Sequence, residues 1–296
     1  MSTAISVIGL GNMGTTLARL FLTAGYETVV WNRTAAKAAP LIERGAVAAS
    51  DVTAAVRDTA LSVFCIAHYG QVTELLDEVP PDTIAGKTLV NLTWGTADEA
   101  RSMQKWVAER GGFYLDGAIL DYPSAMGTRQ GRVIYSGDRT AFSRHEHALS
   151  ALARARYQGA DPGLSNILAC AGALFHAVAV GGFVEAAAYA GHYGVGATQL
   201  RDLVVEHGFG LYETAFTAYS QHIDAGSYDT DQASSRVFHE AGHIIHDDVR
   251  KIGQPGNLIA AFCDMVEPVM ASGDGDLAVS AIYPHLQKPF SPTLPS

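Results

Sequence analysis

Ala4-Ile5-Ser6-Val7-Ile8-Gly9-Leu10-Gly11-Asn12-Met13-Gly14 decides the fold. Residues 4–9 read as a short buried strand, Gly9 to Gly14 fit the pattern G-x-G-x-x-G, and helical spacing follows over about 13–23. In a chain with 30 glycines the pattern alone says little; the strand before it and the helix behind it give it meaning. The first glycine makes the tight turn, the second lets the backbone approach a pyrophosphate, and the third lets helix and strand pack closely. The diphosphate then sits at the helix N-terminus. Gly25 ends the helix and residues 27–31 form a second strand, so the chain opens with a β-α-β unit. Residues 60–67 and 88–92 read as further strands and 97–110 as a helix, while 113–117 and 132–136 complete a sheet ending near residue 159.

After Asp161-Pro162-Gly163 the character changes. Helical periodicity runs to about residue 273, and Gly-containing breaks fall at 191–196 and 253–256. A long helix over 163–193 links the halves. The expected class is therefore α/β. A Rossmann domain over 1–160 is followed by an interdomain helix over 161–193 and an all-helical domain over 194–296, with a loose tail at 289–296. The 296 residues fit two domains, since a domain averages roughly 150. Charged residues are 17% against roughly 25% in an average soluble protein, so much surface is buried in a large core or against a partner. The 48% hydrophobic content excludes a disordered chain, and the net charge of −10 argues against a nucleic-acid partner. Residues 167–184 are apolar except for His176, close to the span of about 20 that crosses a bilayer. Their Ala and Gly content, the internal histidine and Glu185 at the end favour a helix buried in protein, with no membrane. Three scattered cysteines, Cys65, Cys170 and Cys263, read as buried thiols. The start Met1-Ser2-Thr3-Ala4 lacks a signal-peptide pattern, so the cytoplasm is the expected compartment.

The second strand selects the cofactor. A site for NAD usually places Asp or Glu there to bond the ribose 2′-hydroxyl. This chain has Val30-Trp31-Asn32-Arg33-Thr34, with Lys37 a turn further on. Asn32 brings no carboxylate to repel a 2′-phosphate, Arg33 can stack on adenine and bond the phosphate, Thr34 can bond it, and Lys37 adds charge. NADPH is the expected cofactor. Its binding set is Gly9, Leu10, Gly11, Asn12, Met13, Gly14, Asn32, Arg33, Thr34 and Lys37, with Ile66, Ala67, Asn91 and Thr93 added from the ends of the next two strands.

Gly9 to Gly14, Trp31 to Thr34 and Val90-Asn91-Leu92-Thr93-Trp94-Gly95-Thr96 together resemble the imine reductases and reductive aminases of the β-hydroxyacid dehydrogenase superfamily. Asp116-Gly117-Ala118-Ile119 with Pro123, then Asp161-Pro162-Gly163, then Phe183-Val184-Glu185-Ala186-Ala187-Ala188, carry the resemblance along nearly the whole chain. It implies a helical C-terminal domain of the 6-phosphogluconate dehydrogenase type interlocked in a homodimer, a small-molecule imine or amine substrate, and hydride transfer to C=N with reductive amination in range. Hydroxyacid-oxidising relatives use a lysine after the Rossmann domain, whereas Lys37, Lys87, Lys105, Lys251 and Lys288 leave 106–250 without one. An iminium ion arrives protonated and needs no such group, so C=N reduction is favoured. A lysine-free carbonyl reductase and an NADPH-binding protein without catalysis are the alternatives.

The family's Asp or Tyr donor lies eight residues after the Asp of Asp-Pro-Gly, Asp161, which places it at Ala169 here. His176, seven residues on, projects from the same helix face roughly 10 Å further along, and is read either as a hydrogen-bonded core histidine or as a proton donor through water. Asp121 and Tyr122 are further catalytic candidates, and Trp94, Thr96 and Ser124 are candidates for the substrate pocket. A tryptophan at 94 narrows the nicotinamide side or stacks on a cation. His239-Glu240-Ala241-Gly242-His243 also satisfies H-E-x-x-H, with Glu267 conceivable as a third ligand, but the resemblance places it on a C-terminal helix and no metal is expected. His145, His147, His207, His222 and His246 read as surface or interface residues.

Overall fold

A computed structural model describes residues 4–287; the tail at 289–296, Lys288 and Met1 to Thr3 lie outside them. The elements follow in order β1 (Ile5–Ile8), α1 (Asn12–Thr23), β2 (Thr28–Trp31), α2 (Ala39–Ile42), β3 (Val47–Ala48), α3 (Val52–Arg57), β4 (Leu61–Phe64), α4 (Tyr69–Asp77), α5 (Pro81–Ile84), β5 (Thr88–Asn91), α6 (Ala97–Ala108), β6 (Phe113–Ile119), β7 (Arg132–Gly137), α7 (Arg139–Ser150), β8 (Arg154–Gly159) and α8 (Gly163–His192). The eight strands form one sheet in the order β3-β2-β1-β4-β5-β6-β7-β8. All neighbours pair parallel except β6 with β7. The order reverses beside β1, and ligands of such sheets bind at that switch point, outside the carboxyl ends of the strands.

Side chains alternate between two cores, as the pleat requires. Val7, Val30, Val63, Val90 and Leu115 join Leu17, Phe21, Phe142 and Leu149 on one face. Ile8, Val29, Phe64, Leu89 and Tyr114 join Val56, Val72, Leu76 and Val107 on the other. Both faces are covered by helices, so the strands read as continuous apolar runs.

The first compact unit ends at Leu174 and the second begins at Phe175, within α8. The second contains α9 (Ala197–Leu203), a π-helical stretch (Val204–Gly208), α10 (Phe209–Ala225), α11 (Ser235–Lys251), α12 (Asn257–Ala271) and α13 (Tyr283–Leu286). Helix breaks occupy both glycine-containing stretches expected. Its core gathers Val266, Val269, Val279, Ala281 and Ile282 with Phe238, Phe262 and Tyr219. Neither α9 nor α10 has a buried residue.

Several expectations need correction. The helix of 167–184 is not buried within this chain: only 6% of its most apolar window is, although its length and composition would suffice to cross a membrane. Leu174, Phe175, Val178, Val180 and Val184 are all exposed. Cys170 is exposed too, while Cys263 is buried and burial pushes the Cys65 thiol up to about 12. His145 is a core residue bonded to Thr88 Oγ1 at 3.1 Å, and burial together with Arg144 holds its imidazole down to about 4.

Candidate functional site

Phosphate-loop geometry follows from three glycines doing different work. Gly9 has φ +100°, and a Cβ there would lie 2.4 Å from Cys65 O. A Cβ on Gly14 would lie 1.9 Å from Gly9 O, so side chains at both positions are excluded by backbone. Gly11 faces open space, caps α1 without a side-chain bond, and is followed by a first turn free of acids. Amide hydrogens without helix partners therefore point at a cradle that a Cβ at 11 would partly fill.

The surrounding cleft has a volume of about 510 Å³. Its lining includes Gly9 to Gly14, Asn32, Arg33, Thr34, Lys37, Ile66 and Ala67, the expected set apart from Asn91 and Thr93. Those two are buried behind the wall, where Asn91 Oδ1 accepts from Thr93 N (2.9 Å) and Thr93 Oγ1 accepts from Ile66 N (3.2 Å). Asn32 is a brace as well as a wall residue: its Oδ1 accepts from Leu10 N (2.9 Å) and its Nδ2 donates to Thr34 O (3.0 Å). Arg33 and Lys37 are exposed and make no ion pair among the described residues. Two free cations beside a carboxylate-free second strand fit a 2′-phosphate, and the open loop fits a diphosphate.

A second, smaller pocket adjoins on the sheet's carboxyl side, sharing Met13, Cys65 and Ile66 with the first and adding Leu92, Trp94, Gly117, Ala118, Ile119, Asp121 and Asn166. Asp121 Oδ2 accepts from Arg132 N at 2.9 Å, which fixes the carboxylate at the rim. Asn166, at the start of α8, joins the wall from outside the sequence-based candidates. Its Nδ2 donates to Asp116 Oδ1 (2.8 Å), which also accepts from Ser165 Oγ (2.8 Å), while Asp116 Oδ2 accepts from Tyr114 OH (2.9 Å) and Tyr69 OH. Burial drives the Asp116 carboxyl well above the usual carboxylate range, against the pull of Ser165 and Asn166. This network ties the start of α8 to β6 and α4 and sets Asn166 in the pocket wall. Its signal in the sequence was a lone amide just ahead of an apolar run.

Other candidates are not brought together with it. Tyr122 is 73% exposed, and neither it nor Ser124 lines the pocket. Thr96 is occupied as the cap of α6, where its Oγ1 accepts from Glu99 N and the Glu99 carboxylate returns to Thr96 N. Ala169 is buried against Ala118 and Ile134, so the position expected of a donor packs on the sheet. His176 is exposed and has no hydrogen bond among the described residues, which removes the core-histidine reading for the single chain. The H-E-x-x-H pair does meet Glu267: His239, His243 and Glu267 cluster on α11 and α12.

Strand order, glycine loop and free cations define a Rossmann-type dinucleotide-binding protein. Residues 4–170 match the NAD binding domain of 6-phosphogluconate dehydrogenase, and 161–288 match the C-terminal domain of NADPH-dependent reductive aminase-like proteins. The chain belongs to this 6-phosphogluconate dehydrogenase-like family, in its reductive aminase and imine reductase branch. An NADPH-dependent reductive aminase of Aspergillus oryzae (strain ATCC 42149 / RIB 40) is 39% identical over 168 residues, an alignment spanning 56% of this chain and 57% of that protein. The structure of a reductive aminase from Aspergillus terreus in complex with NADPH4, cyclohexanone and allyl amine superposes with a TM-score of 0.87 at 30% identity, covering 97% of this chain and 100% of that one. An imine reductase from Streptomyces aurantiacus gives a TM-score of 0.91 at 28% identity, with the same coverage.

Proposed function

We propose that the chain is an NADPH-dependent reductase of C=N bonds in imines and iminium ions, cyclic ones among them, with reductive amination within its range. Bound NADPH supplies the hydride. The observation that carries the reading is the pocket beside the phosphate loop, apolar on most sides, with Trp94 and the Asp121 carboxylate at hand and no lysine on α8. A reduced ketone needs a proton delivered to its oxygen, and Ala169 offers none; an iminium carbon accepts hydride and yields a neutral amine directly. Asp121 favours a cationic substrate by charge, Trp94 can stack on it, and Asn166 fixes one wall.

Residues 1–160 bind the cofactor, 161–193 form the joining helix, and 194–296 complete the enzyme as a homodimer. The apolar strip of α8 is then covered by a second copy rather than by lipid, and His176 serves at that covered site as a donor through water or as an orienting group. Three cysteines free of disulfides suit a reducing cytoplasm. The test is NADPH oxidation with a panel of cyclic imines and ketones, with chiral analysis of products. Imine turnover with NADPH preferred supports the reading. Ketone-only turnover would replace it with carbonyl reduction, and NADPH binding without any turnover would leave a non-catalytic binder.

A further inference from the structure

His239 and His243 stand one helical turn apart on α11, and Glu267 stands on α12, the helix packed beside it. The approach of the two helices has a visible cause. Gly242 is buried, and a Cβ there would lie 2.8 Å from Cys263 Sγ, one turn before Glu267 on α12. The glycine at the fourth position of H-E-x-x-H thus lets α12 close on α11 at the level where the carboxylate meets the imidazoles.

The contacts are His239 Nε2 to Glu267 Oε2 at 2.8 Å and His243 Nε2 to His239 Nε2 at 3.2 Å, with all three ligand atoms within 4.8 Å of one another. Protons alone serve this arrangement poorly. If His239 carries its proton on Nε2 and gives it to Glu267, it has no lone pair there to accept from His243. If His239 Nε2 accepts from His243, it faces the carboxylate lone pair to lone pair. One proton must be shared three ways, or a second added to the site. A divalent cation instead takes a lone pair from each atom. Tetrahedral bonds of about 2.0–2.1 Å put neighbouring ligand atoms about 3.3 Å apart, close to the contacts seen. Two imidazoles and one carboxylate form a ligand set suited to zinc, with a fourth position left for water. His239 is half-buried and the other two are exposed, so the site can be reached from solvent.

We infer that His239, His243 and Glu267 form a zinc site that clamps α11 to α12. It shares no residue with the dinucleotide cleft and does not depend on the reductase reading. The test uses the full, untagged chain, stripped of metal by chelator and titrated with zinc chloride by calorimetry. Circular dichroism confirms folding of each variant. The wild type should bind one zinc per chain, and His243→Gln and Glu267→Gln should each weaken binding about a hundredfold, while His207→Gln, an exposed histidine elsewhere, leaves it unchanged. Cobalt substitution should give the intense visible bands of a four-coordinate ion in the wild type and lose them in both ligand variants. Absence of stoichiometric zinc binding by the wild type, or binding that survives both ligand variants, would overturn the proposal.

Discussion

Arg33 and Lys37 reach the cofactor cleft with their charges uncommitted, whereas the Asn32 amide is already spent on Leu10 and Thr34. Discrimination for a 2′-phosphate should therefore reside in the two cations. Arg33→Ala is expected to raise the KM for NADPH about tenfold or more while changing that for NADH little, measured as the ratio of the two efficiencies. An unchanged ratio would refute the assignment. His145 gives a second prediction, on stability. Its folded pKa, about 4, lies below the usual 6.5, so between these values the unfolded chain binds a proton that the folded chain refuses. Stability is full above about pH 6.5, falls as pH drops toward 4, and loses up to about 3 kcal/mol from this group. Urea midpoints across that window should decline more steeply for the wild type than for His145→Gln. His176→Ala should lower imine turnover and alter its pH profile; wild-type turnover at every pH would eliminate the donor role.

At the scale of the element, the phosphate loop separates two kinds of glycine. Gly14→Ala drives a Cβ into the Gly9 carbonyl and should cost more than about 2 kcal/mol of stability, because backbone must move. Gly11→Ala has free space and an ordinary φ of −73°, so its melting temperature should stay put while NADPH affinity falls. Calorimetry and NADPH titration of both variants check the contrast. This loop was legible because a turn, a helix start and a ligand approach each demand glycine at a fixed spacing. The long helix was legible to within a residue of its end, since Gly194 and Gly196 punctuate it. By contrast β3, with two residues, and α3, with six, are too short to establish a period. The pocket was half legible. Trp94 and Asp121 declared themselves by chemical type, whereas Asn166 depends on Asp116, fifty residues away in sequence and joined to it only by folding. Tyr122 and Ser124 are polar side chains close to the expected cleft, but both are exposed and neither lines the pocket.

For the whole molecule, the exposed apolar face of α8 and the unburied α9 and α10 set the expectation of a dimer. Sedimentation should give twice the chain mass of 31.3 kDa, and Val178→Glu with Val184→Glu should yield a folded monomer with reduced imine turnover. A wild-type monomer at micromolar concentration would exclude it. From Gly163 to Val184 that helix carries no Asp, Glu, Lys or Arg, so a dimer formed through it would be held by apolar contact and not by ion pairs. Added salt should therefore tighten rather than loosen it, and chilling should weaken it, because apolar burial loses strength in the cold. If the proposed dimer forms on this strip, activity should be lost most readily in dilute solution on ice and return on warming or concentration.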